Sequence, residues 1–311
     1  MSQKEFELLE KHIKAGRNGD ETLLVGIGDD AAVVAGNSSL KYSYTTDATI
    51  EGVHFSRRYF SVADIARKVV AVNFSDLAAM GATPEYLLSS IIAPHHFEVG
   101  ELIDAIAEEV SKYGAELIGG NLSQGDTLAV TATAIGTSPA QSQLLLRSGA
   151  KEGDLLYTTG PLGASSAGLR SFNARASNYA LEEHSPAMEW FHLNPMAKVN
   201  EGICLREAGV RCAIDLSDGL VGDLRHIARR SGVRIVIDDP PQRNGATLDD
   251  CLYGGEDYEL IFAAPPSLEI VEIFKESHLE APILFGHVEA GDATVVATGI
   301  ELNRSGFEHV F

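Results

Sequence analysis

Acidic side chains stand beside glycine or other small residues near the ends of several predicted strands and late in one predicted helix. Two such segments are Gly26-Ile-Gly-Asp-Asp30 and Thr45-Thr-Asp47. Three more are Asn73-Phe-Ser-Asp76, Asp215-Leu-Ser-Asp-Gly219 and Gly254-Gly-Glu-Asp257. Mg²⁺ prefers oxygen ligands and is often held by one or two carboxylates together with substrate phosphates. Because glycine lets a phosphate approach the main chain closely, the pattern indicates a site for Mg²⁺ and phosphate.

Single segments also have ordinary structural interpretations. Asp218 precedes Gly219 and a helical stripe, so it could cap that helix, and Asp29 with Asp30 could form a capped turn. Asp47 is harder to explain in this way, because β-strands disfavour aspartate. Five such segments in one chain favour chemistry over capping.

Several familiar catalytic motifs are missing from the chain. It has no GxxxxGK[ST] phosphate-binding loop, and the glycine-rich run Gly160-Pro-Leu-Gly-Ala-Ser-Ser166 contains no lysine. It also lacks HExxH, GxSxG, HRD and DFG. Among the histidines, His54 has the strongest claim to a role because it follows Asp47 closely, whereas His95 and His96 fit a solvated turn.

Composition limits the partners and the compartment. The 311 residues include 24 basic and 44 acidic side chains, which gives a formal charge of −20. Nucleic acids and anionic membranes are themselves polyanions, so we expect neither to be the main partner. The three cysteines show no CxxC spacing, and no apolar run approaches the roughly 20 residues of a membrane helix. The polar first residues form no secretion signal, so we expect a cytoplasmic protein.

The elements that must position these acids alternate between strands and helices, which predicts an α/β (α+β) fold. Apolar residues at helical spacing predict helices within 62–77, 99–110 and 220–228. The polar segment 137–143 contains a proline and predicts a seam between an N-terminal domain, 1–138, and a C-terminal domain, 147–311. The predicted strands are 23–27, 40–46, 86–92, 128–135, 154–159, 211–216, 233–237 and 258–263.

Together, the acidic segments resemble the motifs of the thiamine-monophosphate kinase family, in the family's order and over nearly the whole chain. The Glu51-Gly-Val-His-Phe55 and Gly254-Gly-Glu-Asp-Tyr-Glu-Leu260 elements distinguish this family from others with the same fold, such as aminoimidazole ribonucleotide synthetase. The matching segments are Gly26-Ile-Gly-Asp-Asp-Ala-Ala-Val33, Thr45-Thr-Asp-Ala-Thr-Ile-Glu-Gly-Val-His-Phe55, Val72-Asn-Phe-Ser-Asp-Leu-Ala-Ala-Met-Gly-Ala82, Ile214-Asp-Leu-Ser-Asp-Gly-Leu220 and Gly254-Gly-Glu-Asp-Tyr-Glu-Leu260.

The resemblance implies an activity and an assembly. ATP would give its γ-phosphoryl group directly to thiamine monophosphate, with several Mg²⁺ ions, to form thiamine diphosphate and ADP. The implied fold is the two-domain aminoimidazole ribonucleotide synthetase-like fold. The N-terminal domains of two subunits would pair into a β-barrel, which makes the expected protein a homodimer.

The same resemblance assigns roles to individual residues, position by position. Asp47, Asp76 and Asp215 match the catalytic acids. The metal ligands would be Asp30, Thr45, Thr46, Asp47, Asp76, Asn121, Asp215 and Asp218. The ATP contacts would be Tyr113, Gly120, Asn121, Arg147 and Ser217. The contacts to thiamine monophosphate would be His54, Glu256 and Phe307, with Phe307 against the cationic thiazolium ring.

One position departs from the family pattern. The family usually has Gly-Gly-Asp-Thr where this chain has Gly119-Gly-Asn121-Leu-Ser123. Asparagine still offers a carbonyl oxygen but brings no charge, which predicts that one metal is held more weakly or that Asp126 compensates.

Two other functions stay open from the sequence. One is a different ATP-dependent enzyme on the same fold, acting on another acceptor. The other is a non-catalytic dimer that binds Mg²⁺ and nucleotide.

Overall fold

The computed structural model describes residues 22–26, 28–36, 39–176 and 185–304. Its strands form two six-stranded mixed sheets, one in each half of the chain. The first sheet contains β1 (Leu23–Val25), β2 (Ala32–Ala35), β3 (Leu40–Ile50), β4 (Thr83–Ala93), β5 (Glu116–Gln124) and β6 (Ala129–Pro139), in the order β1-β2-β3-β6-β4-β5. Its pairs are antiparallel except for β4 with β5.

The second sheet is antiparallel except for one edge pair. Strand β12 runs parallel to β9 at that edge. Its members are β7 (Leu155–Thr158), β8 (Cys212–Asp215), β9 (Arg234–Ile237), β10 (Leu260–Ala264), β11 (Ile283–Glu289) and β12 (Val295–Ala297), in the order β12-β9-β11-β7-β10-β8.

Eight helices are described between and around the sheets of these residues. They are α1 (Val62–Ala79), α2 (Val99–Ser111), α3 (Ala164–Ala176), α4 (Pro186–Leu193), α5 (Val199–Glu207), α6 (Leu220–Ser231), α7 (Leu248–Tyr253) and α8 (Ile270–Glu276). None of the helices in these ranges is both long and apolar enough to cross a membrane.

Helix α1 is the central element of the molecule. Ser61 begins it with a capping box, in which its hydroxyl accepts from the backbone N–H of Asp64 while the Asp64 carboxylate accepts from that of Ser61. One side of α1 packs on β3 and β6, and another side packs on α5 and β8 of the second half. This double packing explains why apolar and small residues surround the helix rather than forming one narrow stripe.

A single hydrophobic core joins the two halves through α1. Leu87 and Val130 of the first sheet belong to the same cluster of buried side chains as Leu260 and Phe262 of the second. The seam predicted at 137–143 is therefore a connection between two sheets that share packing.

The two faces of the first sheet differ in what covers them. Along β4, Leu87 and Ile91 are buried against the helices, and we call this side the inner face. Tyr86, Leu88 and Ile92 alternate with them and are 37–42% exposed, and we call this side the outer face.

Some predicted boundaries were wrong. β3 continues to Ile50, so Asp47 lies inside a strand, paired with Ala132, and not at its end. Strand β5 was missed because its centre, Gly119-Gly-Asn121, has the composition of a turn. Strand β11 was also missed, and the strand predicted at 258–263 begins two residues later, because the backbone at Tyr258 has a positive φ of 51°.

Candidate active site

Three aspartates that are far apart in the sequence meet in the folded chain. Asp30 lies two residues before β2, Asp76 lies near the end of α1, and Asp215 is the last residue of β8. One carboxylate oxygen from each lies within 4.8 Å of the other two. We call these three residues the acid cluster. All three are predicted metal ligands.

Ionising the acid cluster costs free energy when no cation is near. Burial, followed by the charge of Asp215, raises the pKa of Asp76 well above its usual value. Burial, followed by the charge of Asp30, raises the pKa of Asp215 in the same way. A divalent cation would remove this cost because it favours the ionised form of all three carboxyl groups.

Arg147 is the counter-charge of the cluster. Its Nη2 donates to Asp30 Oδ1 at 2.8 Å, and its Nε donates to Asp30 Oδ2 at 3.1 Å. The pair is almost completely buried. This forked contact fixes the plane of the Asp30 carboxylate, so the structure places Arg147, predicted to contact ATP, directly behind a predicted metal ligand.

Hydroxyl groups orient the other two carboxylates. Ser75 Oγ donates to Asp215 Oδ2 at 2.8 Å, which links α1 to β8. Thr45 Oγ1 donates to Asp76 Oδ2 at 2.5 Å, which links β3 to α1. Thr45, predicted as a metal ligand, thus supports a carboxylate of the cluster through its side chain.

The donor set of the acid cluster fits Mg²⁺. Its grouped ligand atoms are all carboxylate oxygens, the donors that hard cations prefer, with no cysteine sulfur or histidine nitrogen among them in the described residues. With every group ionised, three carboxylates and the Arg147 guanidinium leave a net charge of −2. Asp30, Asp76 and Asp215 are therefore the residues that would hold the ion.

Strand β3 sends its predicted ligands to opposite faces. Asp47 lies on the inner face, and its charge contributes to the raised pKa of Asp76. Thr46 faces the other way, where its Oγ1 donates to the Ala132 carbonyl at 2.9 Å and accepts from Thr133. The structure therefore brings Asp47 towards the acid cluster and directs the Thr46 side chain away from it.

The structure also separates Asn121 from the acid cluster within one subunit. Asn121 pairs with Ser90 on the outer face, and its amide nitrogen donates to Ser123 Oγ at 3.1 Å. Gly120 is in one row with Ser89, Ala132 and Asp47. Three strand spacings of about 4.8 Å put β5 about 14 Å from β3. Asn121, predicted as a metal ligand, therefore lies on the opposite face of the sheet from Asp47 and three strands away from it.

Tyr113, predicted to contact ATP, is packed into the core beyond the end of α2. Its ring meets Phe74 edge to face at 5.2 Å. Its hydroxyl accepts from the backbone N–H of Ala197 at 3.1 Å. In this arrangement Tyr113 joins the two halves of the chain.

The loop after β8 is organised by an acid that the sequence analysis missed. Asp223 Oδ2 accepts from the backbone N–H groups of Ser217 and Asp218, each at 3.2 Å. Burial, followed by the charges of Asp218 and Asp215, raises the pKa of Asp223 well above its usual value. The N-cap of α6 is Gly219, with a φ of 108°, so the alternative that Asp218 caps this helix was wrong. The Asp218 side chain is thus not used as a cap.

A cleft of about 870 Å³ brings together two predicted substrate contacts, His54 and Glu256. The aromatic wall of this cleft is formed by Tyr59 and Phe172, whose rings stack at 4.1 Å and 9°. Phe307, the predicted aromatic contact, lies outside the described residues. The cleft therefore offers a carboxylate and stacked aromatic rings, which suit a cationic ring.

The segment Gly254-Gly-Glu-Asp-Tyr-Glu259 places neighbouring side chains in different sites. Glu256 has a positive φ of 67°, and it reaches the cleft. Asp257 accepts from the backbone N–H groups of Gly163 and Ser165, at 2.5 and 3.0 Å, at the start of α3. The glycine-rich run 160–166 therefore binds a carboxylate of its own chain.

Tyr258 feels the charges of the cleft and of the acid cluster. The side chain is buried, and burial followed by the charges of Glu256, Asp47, Asp215 and Asp76 raises its pKa well above the usual value. Charges from the cleft and from the acid cluster therefore both act on Tyr258.

Sequence reasoning missed Lys68 and His192, which lie at the Glu256 end of the cleft. Lys68 precedes the apolar run Val69-Val-Ala-Val72 of α1, and it is only 1% exposed. Lysine within a run of buried-type residues was the available signal, because unpaired lysine is almost never fully buried.

Two family models match this chain in succession. The AIR synthase related protein N-terminal domain matches residues 28–138, and the corresponding C-terminal domain matches residues 151–298. The two-sheet architecture is thus a two-domain AIR synthase-like α/β fold.

Individual relatives cover most of the chain. Thiamine-monophosphate kinase of Buchnera aphidicola subsp. Acyrthosiphon pisum is 34% identical over 310 residues, covering 93% of this chain and 92% of its own. The Escherichia coli K12 protein of the same name is 35% identical, covering 84% of this chain and 82% of its own. A solved structure of AaThiL complexed with AMPPCP and TMP superposes with a TM-score of 0.78 at 31% identity, covering 91% of each chain.

Proposed function

This chain belongs to the thiamine-monophosphate kinase family, and we propose that it transfers the γ-phosphoryl group of ATP to thiamine monophosphate. The products are thiamine diphosphate and ADP. The observation that carries the proposal is the acid cluster, because Asp30, Asp76 and Asp215 converge in a chain that also forms a cleft lined by His54 and Glu256.

The reaction joins two anions on an acidic protein, so charge compensation is its main requirement. Bound Mg²⁺ would supply that compensation and polarise the phosphoryl group being transferred. Asp30, Asp76 and Asp215 would hold the ion, and Arg147 keeps the Asp30 carboxylate oriented. We propose Asp47 and Asp218 as ligands of further Mg²⁺ ions.

The cleft binds and orients the acceptor. Glu256 opposes the positive charge of the thiazolium ring, while Tyr59 and Phe172 offer an aromatic surface beside it. For the transfer, the phosphate of the acceptor has to reach the Mg²⁺ at the acid cluster. No side chain needs to act as general base, because a phosphate monoester is already largely ionised near neutral pH.

The direct test measures ADP release with ATP and a panel of phosphorylated acceptors, with and without Mg²⁺. We expect fast, Mg²⁺-dependent release with thiamine monophosphate alone. Faster turnover on another acceptor would identify a different enzyme of the same fold. Tight ATP binding without turnover on any acceptor would identify a nucleotide-binding scaffold.

We propose further that the chain forms a homodimer through the outer face of its first sheet. Tyr44 of β3 and Tyr86, Leu88 and Ile92 of β4 are each 37–42% exposed there. Strand β5 is an edge strand of this sheet in the described residues. Exposed apolar rows on a sheet with an open edge are a typical dimer surface, and pairing two such sheets would close a β-barrel.

Introducing a charge on this face should separate the subunits. We expect Leu88→Glu to be monomeric by light scattering at concentrations where the wild type is dimeric, because burying an unpaired carboxylate costs several kcal/mol. Val271→Glu is the matched control, since Val271 is 44% exposed on α8 of the other half. A Leu88→Glu protein that remained dimeric would contradict the proposed face.

Asn121 gives a separate prediction about metal binding. Over the three strand spacings between β3 and β5, about 14 Å, one added charge in water changes the binding of a cation by about 0.3 kcal/mol per unit charge. We therefore expect Asn121→Asp to leave the Mg²⁺ concentration for half-maximal activity within about threefold. A decrease of tenfold or more in the Mg²⁺ concentration for half-maximal activity would contradict this. It would show that position 121 lies close to a bound metal, which would then be one held by a partner subunit.

A further inference from the structure

We infer that Lys68 is the positioning residue of the acceptor site, because its buried ammonium binds both Glu256 and the backbone of His54. The inference rests on the proposed function for the identity of the acceptor. It adds a residue from α1, outside every motif on which the family resemblance rests.

Lys68 reaches both predicted acceptor contacts at once. Its Nζ lies 2.6 Å from Glu256 Oε1 and donates to the His54 carbonyl oxygen at 2.5 Å. The Glu256 side chain is 27% exposed at the cleft, whereas that of Lys68 is 2% exposed behind it. The ion pair therefore presents its negative end to the cleft and its positive end to the core.

One oxygen of Glu256 stays available for a ligand. Oε2 lies 3.9 Å from His192 Nδ1, which is too long for a hydrogen bond. His192 Nδ1 is instead 3.0 Å from Ser165 Oγ. A cationic ring in the cleft would meet Oε2, while Lys68 holds Oε1.

Lys68 also keeps Glu256 ionised. Burial alone would raise the pKa of Glu256, but Lys68, followed by His192 and His54, lowers it below the usual value. Burial and the Lys68 charge lower the pKa of His192 to about 4, so this histidine is neutral at physiological pH. The fixed positive charge beside Glu256 is thus that of Lys68. The groups that face Glu256 are Lys68, His54, Tyr59, His192 and Tyr258.

The position of Lys68 on α1 relates the acceptor site to the acids. Asp76 lies eight residues further along the same helix, which corresponds to about 12 Å along its axis. Because α1 is packed on both sides, it sets a fixed spacing between the carboxylate that meets the ring and the carboxylates that would hold the metal. A side chain on this helix can therefore position the acceptor without touching it.

Replacing Lys68 with methionine, which has a similar volume, tests the inference. We expect Lys68→Met to raise KM for thiamine monophosphate at least about tenfold at pH 7.5 and to leave KM for ATP within about twofold. Without the ammonium, burial raises the pKa of Glu256, so the ratio of variant to wild-type KM should fall as pH rises from 6.5 to 8.5. A purely structural role would change both KM values and would not add this pH dependence.

Two further variants keep the test decisive. Lys275→Met, which removes an exposed lysine paired with Glu272 on α8, is the control and should leave both KM values unchanged. Glu256→Gln should raise KM for thiamine monophosphate. The double variant Lys68→Met/Glu256→Gln should have a KM for thiamine monophosphate within about twofold of that of Glu256→Gln. This comparison tests the inference even if Lys68→Met alone fails to fold.

Two results would overturn the inference. One is a proportional rise of KM for both substrates in Lys68→Met. The other is a KM for thiamine monophosphate in the double variant that is at least tenfold higher than in Glu256→Gln. These results require an active wild type. A wild type that releases no ADP with thiamine monophosphate would instead reject the proposed function.

Discussion

Replacing Asp215 with asparagine should abolish turnover and at the same time stabilise the metal-free protein. The introduced amide can still accept the hydrogen bond from Ser75, but it brings no charge to the acid cluster. Loss of a charged ligand at the centre of a phosphoryl-transfer site should lower kcat at least about 10³-fold. In the absence of Mg²⁺, removing one of three crowded carboxylates relieves the repulsion that, after burial, raises the pKa of Asp76.

The predicted stabilisation of metal-free Asp215→Asn should depend on pH. The pKa of Asp215 is raised in the folded state, so the folded chain binds its proton more tightly than the unfolded chain. The metal-free wild type should therefore lose stability as pH rises from about 4 towards neutrality. Asp215→Asn should lose less stability than the wild type over the same pH range.

Thermal unfolding with and without Mg²⁺ checks the prediction. The melting temperature of metal-free Asp215→Asn should lie above that of the metal-free wild type. Addition of Mg²⁺ should raise the melting temperature of the wild type more than that of the variant. Asp104→Asn, at an exposed position on α2, controls for the loss of a charge. An active Asp215→Asn, or one that Mg²⁺ stabilises as much as the wild type, would contradict the role of the acid cluster.

Removing Arg147 should destabilise the fold more than removing an exposed arginine does. Arg147→Met leaves Asp30 buried without its forked partner, and breaking a buried ion pair from one side costs about 3–5 kcal/mol. Arg147→Lys keeps the charge but loses the two parallel hydrogen bonds, so we expect an intermediate loss. Chemical denaturation of the metal-free proteins measures these differences.

A double variant separates charge from packing at this site. Asp30→Asn with Arg147→Met should recover part of the stability lost in Arg147→Met, because no unpaired carboxylate remains. Arg304→Met breaks an exposed pair with Asp249 and should cost less than about 1 kcal/mol. If Arg147→Met and Arg304→Met lowered the free energy of unfolding equally, the buried Arg147–Asp30 pair would stabilise the fold no more than the exposed pair.

The sequence predicted the acids of the site because glycine and strand ends mark positions where a carboxylate can face a ligand. Asp30 and Asp215 follow this pattern, Asp76 lies late in a helix, and the structure brings the three together. Asp47 was singled out because β-strands disfavour aspartate, and the structure shows that its strand continues past it.

The face to which a strand residue points was harder to predict. Alternation shows that Thr45 and Thr46 point to opposite sides, but it does not say which side the helices cover. For Asn121 the difficulty was greater, because its segment looked like a turn and its strand was missed. Strand pairing is a long-range property, and no local pattern placed β5 three strands away from β3.

Residues that act through others were missed for a related reason. Lys68 and Asp223 lie on helices, where a charged residue is most often a solvated one. Their roles depend on what packs against them: Glu256 in one case and the loop after β8 in the other.

The double-sided packing of α1 limits how this enzyme could be divided. A fragment that ended at the seam would keep α1 but uncover the side that normally meets α5 and β8, including Ser75 and Ala78. A fragment that began there would lack the helix against which its own β8 packs. The two halves therefore cannot be exchanged between relatives as independent modules unless the surfaces on both sides of α1 are inherited together.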